Sequence, residues 1–119
     1  MKILICEDNQ LAIRTLTYVL EKEGFELDTA DDGNKALSLM EKNDYDILLV
    51  DIHLPFLSGL ELIKHLRAVL KRKTPVIVMS AFSDLQVQRQ AGELGISGYI
   101  VKPFKLTDLI DKIRSILKK

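Results

Sequence analysis

Cysteine, proline and tryptophan are scarce in this 119-residue chain, and neither sign of charge is in excess. There are one cysteine, three prolines and no tryptophan, and 17 basic residues balance 17 acidic ones. One cysteine cannot form an internal disulfide, which fits a reducing cytosol. Cys6 lies in an apolar run and is predicted to be a small buried hydrophobe. The balanced charge argues against general attraction to nucleic acid or to an anionic membrane.

Long apolar stretches are also absent, so no segment is predicted to span a bilayer. The first predicted strand begins almost at Met1, which leaves no room for a signal peptide. Apolar residues make up 47% of the chain, enough for a core of its own. We therefore expect one domain covering residues 1–119, located in the cytoplasm.

Short apolar runs alternate with helical patterns along the whole chain, without a repeat or an internal linker. Ser58 to Glu61 is predicted to open the third helix as a capping box, and Ser83 to Gln86 to open the fourth. Strands that are apolar on both sides need helices on both faces of a parallel sheet. The prediction is an open, doubly wound sheet of five βα units, although periodicity alone does not give the strand order. Strands are predicted at about 2–6, 25–30, 46–50, 75–79 and 98–101, and helices at about 10–23, 34–42, 58 onward, 83–95 and 106 onward.

Polar residues follow the apolar runs at the ends of four strands. They are Glu7 with Asp8, Asp51, Ser80 and Lys102. Ligands of such sheets bind outside the carboxyl ends of the strands, so we expect these side chains to face one crevice. Three carboxylates within roughly 5 Å would repel each other by about 3 kcal/mol per pair at an effective dielectric near 20. Such a cluster takes up protons or binds a cation, and oxygen ligands without cysteine or histidine favour Mg²⁺.

Five motifs together resemble those of the receiver domain of two-component response regulators. They are Glu7-Asp8, Asp51, Leu54-Pro55 with Gly59, Ser80-Ala81 and Lys102-Pro103-Phe104. The resemblance covers Lys2 to Lys118 and implies a flavodoxin-like (βα)5 fold with strand order 2-1-3-4-5. The chain departs from the family pattern in two places. The acidic pair is Glu-Asp rather than Asp-Asp, and the hydroxyl is serine rather than threonine.

The resemblance also implies the chemistry of the crevice. Asp51 is expected to accept a phosphoryl group from a partner histidine kinase or histidine phosphotransfer protein. Asp8, Asp51 and the backbone carbonyl of His53 are expected to coordinate Mg²⁺ directly. Glu7 is expected to bind it through water. Such a domain catalyses its own phosphorylation and dephosphorylation and is not an enzyme for external substrates.

Two further groups are expected to contact the phosphoryl oxygens. The Lys102 ammonium would neutralise them and the Ser80 hydroxyl would donate a hydrogen bond to one of them. A cis peptide bond between Lys102 and Pro103 is implied by the resemblance and would aim the lysine into the crevice.

Ser80 and Tyr99 are the expected switch residues. The hydroxyl would move toward the phosphoryl group, and Tyr99 could turn inward, unless it is a fixed core aromatic. The surface of helix four, strand five and helix five would change and bind a downstream protein or output domain. A homodimer could also form through this surface on activation. No direct contact with nucleic acid is expected from this domain. The chain is either a stand-alone regulator or part of a longer DNA-binding one.

Three other functions fit these residues less well. A receiver-like interaction module that is never phosphorylated would not need the intact acidic cluster with Ser80 and Lys102. An aspartate-nucleophile phosphatase needs a second carboxylate two residues past the nucleophile, where this chain has His53. Dinucleotide or flavin binding would require a glycine-rich motif after the first strand, and the chain has none there.

Overall fold

A five-stranded parallel sheet with helices on both faces forms the structure, a computed structural model that describes residues 1–81 and 85–118. The strands are β1 (Lys2–Cys6), β2 (Glu26–Ala30), β3 (Ile47–Asp51), β4 (Val76–Ser80) and β5 (Gly98–Val101). The helices are α1 (Gln10–Lys22), α2 (Gly33–Lys42), α3 (Gly59–Ala68), α4 (Leu85–Glu93) and α5 (Leu106–Leu117). The strand order is β2-β1-β3-β4-β5, which confirms the expected doubly wound, flavodoxin-like fold.

Two apolar clusters cover the two faces of the sheet. On one face, Met40 of α2, Leu62 of α3 and Ala91 of α4 pack against β1, β3 and β4. On the other, Leu20 of α1 and Ile113 of α5 pack against the same strands. Because β3 and β4 are buried along their whole length, their apolar runs are continuous rather than alternating. Cys6 is fully buried, and its burial raises the pKa of the thiol to about 12, so it is inert as predicted.

Local hydrogen bonds explain where three helices begin. Asn9 caps α1, and the capping box of Ser58 and Glu61 opens α3 as predicted. Asp32 caps α2 by accepting a hydrogen bond from the Lys35 N–H at 2.8 Å. Gly33 is therefore the first residue of α2, one residue before the predicted helix start at about 34. The second predicted capping box begins at Ser83, which lies outside the described residues.

Strand ends differ slightly from the predicted positions. Asp51 is the last residue of β3 and Ser80 the last of β4, whereas the sequence placed both just beyond a strand. Main-chain pairing explains the difference, since Asp51 still pairs with Met79 and Ser80 with Val101. The two polar groups remain at the carboxyl edge of the sheet.

The loop between β3 and α3 contains a strained turn. The Leu57 N–H donates to the Pro55 carbonyl at 2.8 Å across Phe56, whose φ is 71°. A hydrogen bond across one residue with positive φ defines a γ-turn, which is rare and strained. The loop begins directly after Asp51 and so belongs to the surroundings of the crevice.

In the described part of the chain, no helix has the length and apolarity to cross a bilayer.

Candidate functional site

The register of the sheet places the predicted polar residues at one edge. Cys6 pairs with Val50, so Glu7 and Asp51 occupy equivalent positions on neighbouring strands. The Lys102 N–H donates to the Ser80 carbonyl at 2.7 Å, which holds the ends of β4 and β5 together. The crevice therefore forms as the strand-end argument predicted.

Glu7, Asp8 and Asp51 form one acidic cluster. Each offers a carboxylate oxygen, and the three oxygens lie within 4.8 Å of one another. Glu7 and Asp51 are buried, with 1% and 6% of their surface exposed, whereas Asp8 faces solvent. Oxygen donors on a partly open edge fit the preference of Mg²⁺, which keeps several waters and takes few protein ligands. The cluster therefore suits a divalent cation.

Lys102 compensates part of this negative charge. Its Nζ lies 2.7 Å from Asp51 Oδ2 and also donates to Glu7 Oε1. Burial lowers the pKa of Lys102, but the hydrogen bonds to Asp51 and Glu7 together raise it above its ordinary value. The lysine is therefore a permanent cation of the crevice. The peptide bond between Lys102 and Pro103 is cis.

The surroundings of Glu7 shift its pKa. Burial raises its pKa above the ordinary value, opposed by the hydrogen bonds from Lys102 and from the Asn9 N–H at 3.1 Å. The neighbouring charge of Asp51 raises the pKa further. Sequence reasoning expected only a longer acidic arm here and missed that Glu7 is buried against the lysine.

Asp51 is held in one orientation by two donors. Its Oδ1 accepts the backbone N–H of His53 at 2.8 Å, and its Oδ2 faces Lys102. The two oxygens thus have different surroundings, one set by the loop after β3 and the other by the loop after β5. The side chain of His53 is exposed, and its carbonyl remains a predicted metal ligand.

Comparison with known proteins now identifies the family. The profile of the response regulator receiver domain matches residues 3–114. The chain belongs to this family. It is 38% identical to sensory transduction protein RegX3 of Mycolicibacterium smegmatis over 98% of this chain and 50% of that protein. It is 34% identical to transcriptional regulatory protein CusR of Escherichia coli over 100% of this chain and 52% of that protein. The chain thus spans about half the length of the curated relatives it matches.

Solved receiver structures agree with the fold. A two-component response regulator from Clostridium difficile superposes with a TM-score of 0.94 at 28% identity, over 100% of this chain and 97% of that one. The receiver domain of a Francisella response regulator superposes with a TM-score of 0.92 at 31% identity, over 98% of this chain and 96% of that one. Receiver domains of two-component systems are signalling switches rather than enzymes in the usual sense.

The two predicted switch residues of this receiver domain lie on neighbouring strands. Ser80 is 1% exposed at the end of β4. Tyr99 on β5 pairs with Val78 and is half-buried, packed against the cluster that contains Val78 and Ala91. The ring therefore contacts the side of the sheet that α4 covers.

A groove next to Glu7 lies between α1 and the segment after β5. It has a volume of about 650 Å³, and its lining includes Glu7, Leu11, Ala12, Lys102 and Phe104. Leu11 is 74% exposed at the start of α1. Sequence reasoning did not single out Leu11, because one apolar residue at a helix start carries no distinct signal.

Proposed function

We propose that residues 1–119 act as one receiver domain, a switch turned on by phosphorylation of Asp51 within a two-component system. The observation that carries this proposal is the position of the Asp51 carboxylate. It is buried, fixed by the His53 N–H, and lies beside both a lysine and two further carboxylates. Carboxylates so placed can form aspartyl phosphates, and most of the catalysis is positioning and charge neutralisation.

Glu7, Asp8 and Asp51, with the backbone carbonyl of His53, would hold Mg²⁺. When bound, the ion supplies positive charge that neutralises phosphoryl oxygens.

Phosphoryl transfer to Asp51 then needs little beyond orientation. One Asp51 oxygen forms a bond to phosphorus while the bond from phosphorus to the donor's imidazole nitrogen breaks, and its electron pair returns to the ring. Lys102 moves from the carboxylates toward the transferred phosphoryl oxygens, and the Ser80 hydroxyl donates a hydrogen bond to another of them. Both groups act where charge is redistributed in the transition state.

The acyl phosphate adds about −1.5 to −2 charges next to Ser80. We expect the serine to move toward it and Tyr99 to repack, which biases an existing equilibrium of α4, β5 and α5. The surface of these three elements would then bind a downstream protein or output domain, or a second copy of the chain. The relatives RegX3 and CusR support a regulatory output, since CusR is named a transcriptional regulatory protein.

A protein donor is supported by the groove that Glu7 and Lys102 border. An exposed leucine next to a buried charged site suits a helix that presents a phosphohistidine and packs apolar residues against Leu11 and Phe104. The donor would be a histidine kinase or a histidine phosphotransfer protein, and we expect the domain to act in the cytoplasm.

Phosphorylation by acetyl phosphate with Mg²⁺ tests the proposal directly. Intact-protein mass spectrometry should show one added phosphoryl group on the wild type and none on Asp51→Asn, which keeps the fold. Asp111→Asn, an exposed aspartate of α5, is the matched control and should behave as wild type. If Asp51→Asn is phosphorylated, or if the wild type binds no beryllofluoride with Mg²⁺, the switch is ruled out. The latter result would favour a phosphorylation-independent interaction module.

A further inference from the structure

We propose that Gly33, the first residue of α2, is a positioning residue for Asp51. Gly33 lies 18 residues before the acceptor and outside the acidic cluster. It would act through the turn at Pro55 to Leu57, which precedes α3, on the His53 N–H that orients the carboxylate. The inference rests on the proposed function of Asp51.

Gly33 contacts this turn in two ways. Its N–H donates to the Pro55 carbonyl at 3.0 Å, and the same carbonyl accepts the Leu57 N–H at 2.8 Å. A Cβ added to Gly33 would overlap the carbonyl oxygen and Cβ of Leu57 and lie 2.8 Å from its carbonyl carbon. Backbone atoms cannot move aside as a flexible side chain can. Only glycine therefore lets α2 begin this close to the turn.

The turn needs such support because its backbone is strained. Phe56, at its centre, has a φ of 71°. This conformation is energetically unfavourable for any residue that has a side chain. Strain of this kind persists only where the surrounding structure holds it. The hydrogen bond from Gly33 to Pro55 is one such restraint, and it comes from a different βα unit.

On its other side the loop is fixed by the start of α3. The Gly59 N–H donates to the Ile52 carbonyl at 2.9 Å, and a Cβ on Gly59 would lie 2.9 Å from the Ile52 Cα. The loop from residue 52 to residue 58 is thus held between the first residue of α2 and the end of β3. A displacement at Gly33 has to be absorbed by the residues in between, which include His53.

His53 passes that displacement to the acceptor. Its N–H holds Asp51 Oδ1 at 2.8 Å, while Lys102 attracts Oδ2. If the N–H moves away, the carboxylate is free to turn toward the lysine and leaves the orientation needed for attack. A misplacement of about 1 Å can cost as much as 100-fold in rate.

Gly33→Ala compared with Gly92→Ala tests the proposal. Gly92 lies in α4 with nothing within 4 Å of an added Cβ, so the control introduces the same methyl group without a clash. The first readout is amide hydrogen exchange of His53 in the metal-free protein. The others are the Mg²⁺ dissociation constant from NMR titration and the acetyl phosphate reaction rate at saturating Mg²⁺.

For Gly33→Ala we expect His53 exchange at least tenfold faster, a severalfold weaker Mg²⁺ affinity and a reaction at least tenfold slower. Gly92→Ala should match the wild type in all three. A folded Gly33→Ala protein with wild-type His53 protection and rate overturns the proposal. A wild type that accepts no phosphoryl group contradicts the proposed function instead, while the exchange result still decides the role of Gly33.

A second pair of variants covers the case in which Gly33→Ala does not fold. Asp32→Ala removes the cap that fixes the start of α2 without adding atoms against Leu57. Asp32→Asn removes the charge but keeps a capping oxygen. Faster His53 exchange and a slower reaction in Asp32→Ala, with Asp32→Asn like the wild type, support the proposal. If Asp32→Ala also matches the wild type, the start of α2 does not position Asp51.

Discussion

Lys102 Nζ lies 2.7 Å from Asp51 Oδ2, although 51 residues separate the two in the chain. The same ammonium donates to Glu7, which is buried at the end of the neighbouring strand. Before phosphorylation, the lysine therefore serves as counter-ion for two buried acids. Under the proposed function it would exchange these partners for phosphoryl oxygens, so we expect Lys102 to contribute to both stability and reactivity.

Lys102→Met should impair both properties. Breaking a buried ion pair costs about 3–5 kcal/mol, and we expect about 2–3 kcal/mol here because the lysine side chain is 26% exposed. The rate of phosphorylation by acetyl phosphate should fall by about 100-fold or more, since a charge that stabilises the transition state is lost. Urea unfolding at neutral pH and the rate at saturating Mg²⁺ measure the two effects.

Lys64→Met is the matched control, because Lys64 is exposed on α3. It should change the free energy of unfolding by less than about 0.5 kcal/mol. Equal effects of the two substitutions would show that the lysine is not a counter-ion of the buried acids.

Glu7 should give the metal-free protein a characteristic pH dependence of stability. Burial raises the pKa of Glu7 in the folded state above its ordinary 4.5. Its contribution to stability is therefore fully present below about pH 4.5 and is lost as pH rises through the folded-state pKa. Glu7→Gln lacks this titration, so wild-type stability should fall relative to the variant as pH increases above 4.5.

Urea unfolding across this pH range, with EDTA present, measures the difference. Glu21→Gln on the exposed surface of α1 is the control and should follow the wild type. A constant difference between wild type and Glu7→Gln at all pH values would show that Glu7 titrates normally.

Mg²⁺ should stabilise the folded domain through the acidic cluster. A ligand at 100 times its dissociation constant adds about 2.7 kcal/mol to the free energy of unfolding. Asp8→Asn should lose most of this gain while folding normally without Mg²⁺, because Asp8 is exposed and not needed for the core. Thermal unfolding with and without Mg²⁺ measures the gain, with Asp111→Asn as control. A wild type that Mg²⁺ does not stabilise would contradict the proposed metal site.

Most of the fold could be predicted from the sequence because its signals are local. Apolar runs mark the strands, and Ser58 with Glu61 marks the start of α3 by a capping box. The predicted site residues meet because parallel strands share one carboxyl edge, so their convergence follows from topology alone. The strand order came from the family resemblance, since periodicity carries no information about which strands are neighbours.

What could not be predicted depends on contacts between distant backbone groups. Nothing in the sequence around Gly33 indicates that its N–H donates to the Pro55 carbonyl of another βα unit. The burial of Glu7 against Lys102 depends on rotamers that no spacing encodes. Arg67 of α3 likewise donates to backbone carbonyls of distant residues, which the sequence does not indicate because every residue has a carbonyl.

Arg67 of α3 holds the C-terminal end of α4 in place. Its guanidinium donates to the carbonyls of Leu94 at 2.9 Å and Gly95 at 3.1 Å, directly after α4. It also donates to the carbonyls of Arg72 at 3.0 Å and Thr74 at 2.8 Å in the loop before β4. Burial lowers the pKa of Arg67 from its very high ordinary value, which leaves it charged at neutral pH. A cation at this position also interacts favourably with the helix dipole.

Arg67→Lys should loosen this end of α4. Lysine keeps the charge but lacks the planar fork that reaches four acceptors, so several carbonyls lose their donor. We expect a loss of about 1–3 kcal/mol in the free energy of unfolding. The amide protons of Leu94 and Gly95, which bind carbonyls of α4 at 3.0 Å, should also exchange faster. Of the α4 residues that the structure describes, Ala91 alone is buried, so apolar packing compensates little.

Arg114→Lys separates this local effect from a general one. Arg114 donates to Glu23 at 2.5 Å on the surface, and such an exposed pair contributes about 0–1 kcal/mol. The control should leave exchange at Leu94 and Gly95 unchanged. Arg67→Lys could lower the free energy of unfolding no more than Arg114→Lys does and leave the exchange of both amides at the wild-type rate. That result would show that α4 is held by other contacts. In that case the movement expected of α4 on phosphorylation would not be limited at its C-terminal end.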